Sequence, residues 1–260
     1  MTDIHITPAL LAAVERGDFP ARKLVEIGWN HLLHLCPTCS AGFQAWQRQR
    51  RDTGVGYDSA FRVLPLVLER HAHAVEEAQD KARKDLRDLL KLPPAERLAR
   101  IQRSQSRFRS VTLAHLLVGE AKRHMPAEPQ TVYELAEAAE AVLLRTPNTP
   151  GYYDALARAI AFKANSLRAL GRLPEADERI RSARSLVRNE DVTDTMVYAE
   201  IDWFEGMLRK DQRRFQKSAE LLARSSSFFQ LAGERIEAAR PLLTLGLMYY
   251  DRQEPGKAIE

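Results

Sequence analysis

The residues best suited to chemistry lie close together in His31-Leu32-Leu33-His34-Leu35-Cys36-Pro37-Thr38-Cys39. Thiolates and imidazoles are good zinc ligands, and four of them satisfy a tetrahedral ion. Cys36 and Cys39 form one arm, His31 and His34 offer one or two ligands more, and His5 is a remote candidate. On an unbroken helix the two cysteines stand about 60° apart and His31 about 140° from Cys36, from steps of about 100° per residue. Pro37 disfavours the helical conformation at Cys36, so a break there lets both arms converge. Two other readings of the pair stay open. Reduced cysteines can pack a helix interface, and Cys-Pro-Thr-Cys has the spacing of a thiol redox pair, although no strand precedes it.

Other chemical motifs are sparse. His71 and His73 are two residues apart, about 200° around a helix, so one face cannot hold both rings. His115 sits among leucines and reads as a core-border residue, and His124 precedes a proline break. Ser225-Ser226-Ser227 reads as helix-end or loop polarity. No phosphate-binding glycine loop, HExxH or dinucleotide fingerprint occurs. The expectation is therefore a protein without catalytic residues or a small-molecule substrate.

The elements that must position these residues are helical. The chain has 260 residues, 45% hydrophobic and 28% charged, with only two cysteines. That composition excludes a disordered chain and a disulfide scaffold. No apolar run reaches the length of a membrane span. The N-terminus lacks the basic flank of a leader, so the expected compartment is cytoplasmic, without membrane contact. Proline and glycine punctuate helical periods throughout: a long helix over about 58–91, a short one over 95–102, and others over 110–123 and 131–145. No alternating strand pattern interrupts them.

Net charge is +4. From Lys81 to Ser110 there are ten basic and three acidic residues, a local +7, while the rest of the chain sums to −3. Lys84, Arg87, Arg103 and Arg107 carry the alternative reading, a helical adaptor associated with nucleic acid. A solvated helix face accounts for the same window.

The last 110 residues repeat. Ala164, Leu167, Gly171, Ala176, Ile180 and Ala183 are followed by Gly206, Leu208, Phe215, Ala219 and Leu222, then by Leu243, Gly246, Tyr249 and Ala258. Equivalent positions lie 39 to 43 residues apart. Small residues at such places let paired antiparallel helices approach, and stacking buries their unfinished faces. These units resemble tetratricopeptide repeats. Arg213 and Gln253 depart from the pattern where a turn glycine belongs, Ala219 falls one residue late, and the period exceeds the family's 34 residues. Lys257-Ala258-Ile259-Glu260 would be only the first turn of another helix, as in a truncated chain or an end that packs elsewhere.

The resemblance implies an all-α fold of antiparallel helix pairs in a right-handed α-solenoid, with a small cysteine/histidine module ahead of it. The expected regions are 1–50, 58–146 and 150–260. It also implies a surface for a protein or peptide partner, built from Arg158, Asn165, Arg168, Trp203, Met207, Lys210, Leu247 and Tyr250. Trp203, Leu247 and Tyr250 can instead fill the core between repeats. The segment from His5 to Arg50 resembles the zinc-binding region of anti-sigma factors through His31-Leu32 and Cys36/Cys39, with one extra residue before the first cysteine. By analogy it implies a regulatory contact with a transcription factor.

Overall fold

The structure, a computed structural model, describes residues 59 to 253 apart from 148 and 191, with side chains from residue 75 onward. The cysteine/histidine module expected over 1–50 lies outside the described residues. Contacts divide the chain into two units, Met1–Ala78 and Gln79–Glu260. All regular structure among the described residues is helical, and none of their helices is long and apolar enough to cross a membrane.

The helices are α1 (Ser59–Leu90), α2 (Pro94–Arg103), α3 (Val111–Arg123), α4 (Pro129–Leu143), α5 (Tyr152–Ala169), α6 (Leu173–Asn189), α7 (Thr195–Asp211), α8 (Phe215–Leu231) and α9 (Arg235–Asp251). Their bounds follow local signals in the sequence. Pro94, Pro129 and Pro174 open helices where the missing N–H costs nothing. The Ser110 hydroxyl accepts from the Leu113 amide, and the Asp194 carboxylate from the Met196 amide, capping α3 and α7.

From α3 to α9 each helix packs on its neighbour in sequence, and α2 packs on α4. The odd-numbered helices from α3 to α9 also contact one another in succession, α3 with α5, α5 with α7 and α7 with α9. The helices α3, α5, α7 and α9 begin at Val111, Tyr152, Thr195 and Arg235, a spacing of 40 to 43 residues. The core follows this order, from Leu113 and Leu117 through Leu135, Phe162 and Ile180 to Phe204, Leu222 and Phe229. Phe162 of α5 meets Phe204 of α7 edge to face, with ring centres 5.0 Å apart.

The turns keep the register although their residues do not. Gly171 has φ +77°, Arg213 +61° and Gln253 +59°. All three residues that follow α5, α7 and α9 at the turn are left-handed, so arginine and glutamine take the backbone state that glycine takes at the first turn. Arg172 and Arg214 amides then reach back to the carbonyls of Leu167 and Arg209, at 2.9 and 2.8 Å, closing the same helix-end motif twice.

Two readings of small polar residues are corrected. Ser218, not Ala219, takes the position of Ala176. It is buried, and its hydroxyl donates to the Gly206 carbonyl at 2.8 Å. Ser225 and Ser226 are not helix-end polarity. They lie buried within α8 and donate to the carbonyls of Ala199 and Ala238, at 2.7 and 3.0 Å. A serine is small enough for close helix packing, and its hydroxyl finds an acceptor in the neighbouring backbone. Gly206 makes that approach possible, because a Cβ there would lie 2.9 Å from Leu222 Cγ and Cδ2.

Candidate partner-binding surface

Arg158 is the best-anchored of the residues singled out in the sequence. It projects from α5 with its side chain 17% exposed. Its Nε donates to Glu200 at 2.6 Å and its Nη2 to Asp194 at 3.0 Å. Burial works against its charge, but the carboxylates of Glu200 and Asp194 outweigh it and hold the guanidinium more firmly protonated than usual. One turn earlier, Asp154 accepts from the amides of Thr193 and Asp194, at 2.9 and 2.8 Å. Burial raises the Asp154 carboxyl above its ordinary value, and those amides oppose the rise. Arg158 and Asp154 thus join α5 to the start of α7.

Asn165 and Arg168 are also engaged. Arg168 donates to Asn165 Oδ1 at 3.0 Å and to Asp211 at 2.7 Å, while the Asn165 amide points to the Met125 sulfur. Trp203 is buried and stacks near Phe204. Arg240 lies 5.9 Å from its ring centre. Met207 is half-buried against the core, and Lys210 stays half-exposed, 3.9 Å from Asp211. Leu247 and Tyr250 on α9 are exposed. The eight positions therefore divide into four that join helices and four that present a surface: Met207, Lys210, Leu247 and Tyr250.

Two ion networks join neighbouring helices and escaped the sequence reading. Lys163 is buried and donates to Glu137 and Glu140 of α4, at 3.2 and 3.1 Å. Burial disfavours its charge, yet the two carboxylates hold its ammonium above the ordinary value. Asp202 is buried on α7 and binds both Arg184 of α6 and Arg224 of α8, the latter through Nη2 at 2.7 Å. Glu205 accepts from Arg184 and Arg209, each at 2.8 Å. Apart from Glu205 and Arg209, four apart on α7, these partners lie 18 to 26 residues apart and leave no local pattern. The signal that could have found Asp202 and Lys163 is a charge at a position that the period places inside the stack.

The basic window is partly consumed by internal pairs. Arg107 donates to Asp85 and Asp88, each at 2.6 Å, and holds the Asp88 carboxyl below its ordinary value. Arg97 is buried and donates to the carbonyls of Leu89 and Leu92. Lys84, Arg87 and Arg103 are exposed. Lys81, Arg83, Lys84, Arg87 and Arg123, together with Asp80, line an open cleft of about 880 Å³ beside Leu86 and Leu116.

Cys36, Cys39, His31, His34 and His5 lie outside the described residues. Among the described residues no cluster of histidine, cysteine and carboxylate side chains is arranged to hold a metal ion. His71 and His73 fall within α1. His124 stands between Glu120 and Glu128, at 3.5 and 3.3 Å, and its hydrogen bond lowers the Glu128 carboxyl from its ordinary value.

No family model, no curated protein and no solved structure matches this chain.

Proposed function

We propose that the second unit is a tetratricopeptide-like α-solenoid acting as a non-enzymatic adaptor for another protein. The observation that carries this reading is a repeated register. Small residues seven apart recur at Ala114 and Ala121, Ala157 and Ala164, Ala199 and Gly206, and Ala239 and Gly246. The first three pairs are buried. The left-handed turn residues 171, 213 and 253 keep the same phase. Stacked pairs of this kind gain stability from neighbours and leave a long face for binding. The exposed Leu247 and Tyr250, with the half-buried Met207 and Lys210, suit a peptide that combines apolar and acidic groups.

Partner capture with the intact protein, followed by mass spectrometry, tests the reading. One protein should be retained specifically and lost with the Lys210→Glu, Tyr250→Ala double variant. Equal retention by the variant would count against this surface. The N-terminal cysteine and histidine residues are proposed to hold a structural zinc ion that steadies a second, regulatory contact, by analogy with anti-sigma factors. Anaerobically purified protein should then carry about one zinc per chain, falling towards zero with Cys36→Ser.

A second reading, association with nucleic acid, is favoured by the cleft lined by Lys84, Arg87 and Arg123. Its mark would be binding that weakens steeply with salt and disappears on reversing Lys84 and Arg87.

A further inference from the structure

Helices α6 and α8 both pack on α7, and an open cleft of about 510 Å³ runs between them. Its rim is basic on both walls. Arg181 and Arg188 stand seven residues apart on α6, and Lys217 and Arg224 stand seven apart on α8. All four are exposed. Seven residues of helix rise about 10.5 Å, so each wall carries two cations at that spacing. Val187, Tyr198 and Leu221 give the cleft an apolar lining.

The acids of the cleft are neutralised by internal bonds. Glu205, which also lines it, accepts from Arg184 and Arg209. The buried Asp202 accepts from Arg184 and Arg224. The rim cations keep donors for a ligand. Among the described residues Arg188 donates only to the Arg184 carbonyl. Arg181 and Lys217 pair with Asp177 and Glu220 at side-chain exposures of 68% and 54%, and exposed pairs of this kind are weak. Arg224 gives Asp202 its Nε and Nη2 and is otherwise open to solvent, its side chain 51% exposed.

Cations in two levels about 10.5 Å apart select a ligand with two separated negative charges. In an extended chain, residues three apart lie about 10 Å from one another, at a rise of about 3.3 Å each. Two turns of helix, about 10–12 Å across, would fill roughly 800 Å³ and exceed the cleft. The apolar lining calls for aliphatic groups between the charges. A phosphate backbone offers none there, and its unbroken row of charges would also meet Glu205 and Glu220.

We propose that the cleft between α6 and α8 docks an extended acidic segment of a partner protein, with two carboxylate side chains three residues apart and aliphatic residues between them. The inference rests on the adaptor reading and adds a docking site, with its partner chemistry, that includes neither Lys210 nor Tyr250.

The probe is the end-blocked peptide Ser-Glu-Val-Pro-Glu-Ser, whose proline favours an extended chain. It is titrated at low salt into the intact, isotope-labelled protein and followed by amide NMR shifts. The shifts should saturate, fit one site and centre on residues 181–188 and 217–224. The double variant Arg188→Glu, Lys217→Glu leaves the bonds of Asp202 and Glu205 in place, so its circular dichroism spectrum should match the parent. It should bind the peptide at least tenfold more weakly. A peptide with the two glutamates side by side should bind the parent at least threefold more weakly. Absence of saturable shifts, shifts centred elsewhere, or affinity indifferent to either change overturns the proposal. So does an oligothymidylate that displaces the peptide and binds more tightly, because the cleft would then serve nucleic acid. Partner capture that depends on Lys210 and Tyr250, without peptide binding, defeats the cleft and leaves the adaptor reading standing.

Discussion

At the scale of single residues, Arg213 is where sequence and conformation disagree most. A non-glycine residue in the left-handed region costs about 1–2 kcal/mol. Arg213 bears it at φ +61°, where Gly171 sits without strain at +77°. Arg213→Gly should therefore raise stability by about 1 kcal/mol, seen as a higher urea midpoint at unchanged slope. The larger folded-state gain is partly offset by glycine's greater freedom in the unfolded chain. Gly171 was legible in the sequence as a turn because its residue type announces the conformation. Arg213 and Gln253 were visible only as departures, since nothing in their chemistry signals a positive φ. The same holds for Ser225 and Ser226. Out of context a serine run suggests a helix end, and only the neighbouring carbonyls of Ala199 and Ala238 explain it inside a helix.

Between elements, the helices themselves were legible because proline, glycine and a 3.6-residue period act locally. The bonds that align one helix with another were not, since Arg158 meets Glu200 across 42 residues. That pair makes a clear prediction. Glu200→Ala leaves a mostly buried guanidinium short of its closest carboxylate, and breaking such a pair costs about 3 kcal/mol. Adding Arg158→Met removes the uncompensated charge and should restore much of that loss in denaturant titration. A double variant as unstable as Glu200→Ala would place the cost in packing instead. Acid acts on the same kind of junction. Asp177 is partly buried, which works against its charge, but Arg209 outweighs this and holds its carboxyl below the ordinary 3.8. A depressed carboxyl contributes stability that is fully present above about 3.8 and lost as pH falls through its folded value. Asp177→Asn should therefore flatten the loss of thermal stability below pH 4, leaving the neutral range as its main cost.

From α3 to α9 the principal contacts run between helices adjacent in sequence, so a local defect need not spread to every helix. Gly206 tests this, because it lies midway along the succession and has no room for a side chain. Gly206→Leu would drive into Leu222 and push α8 from α7. Hydrogen exchange should then show lost protection across α7, α8 and α9, while the amides of α3, α4 and α5 keep most of theirs. The expected melting curve is broader than that of the parent protein, because the two groups of helices no longer unfold together. Uniform loss of protection from α3 to α9 would instead make this unit one cooperative body. Its stability would then depend on every junction at once, and the nearest-neighbour coupling expected of a repeat stack would not describe it.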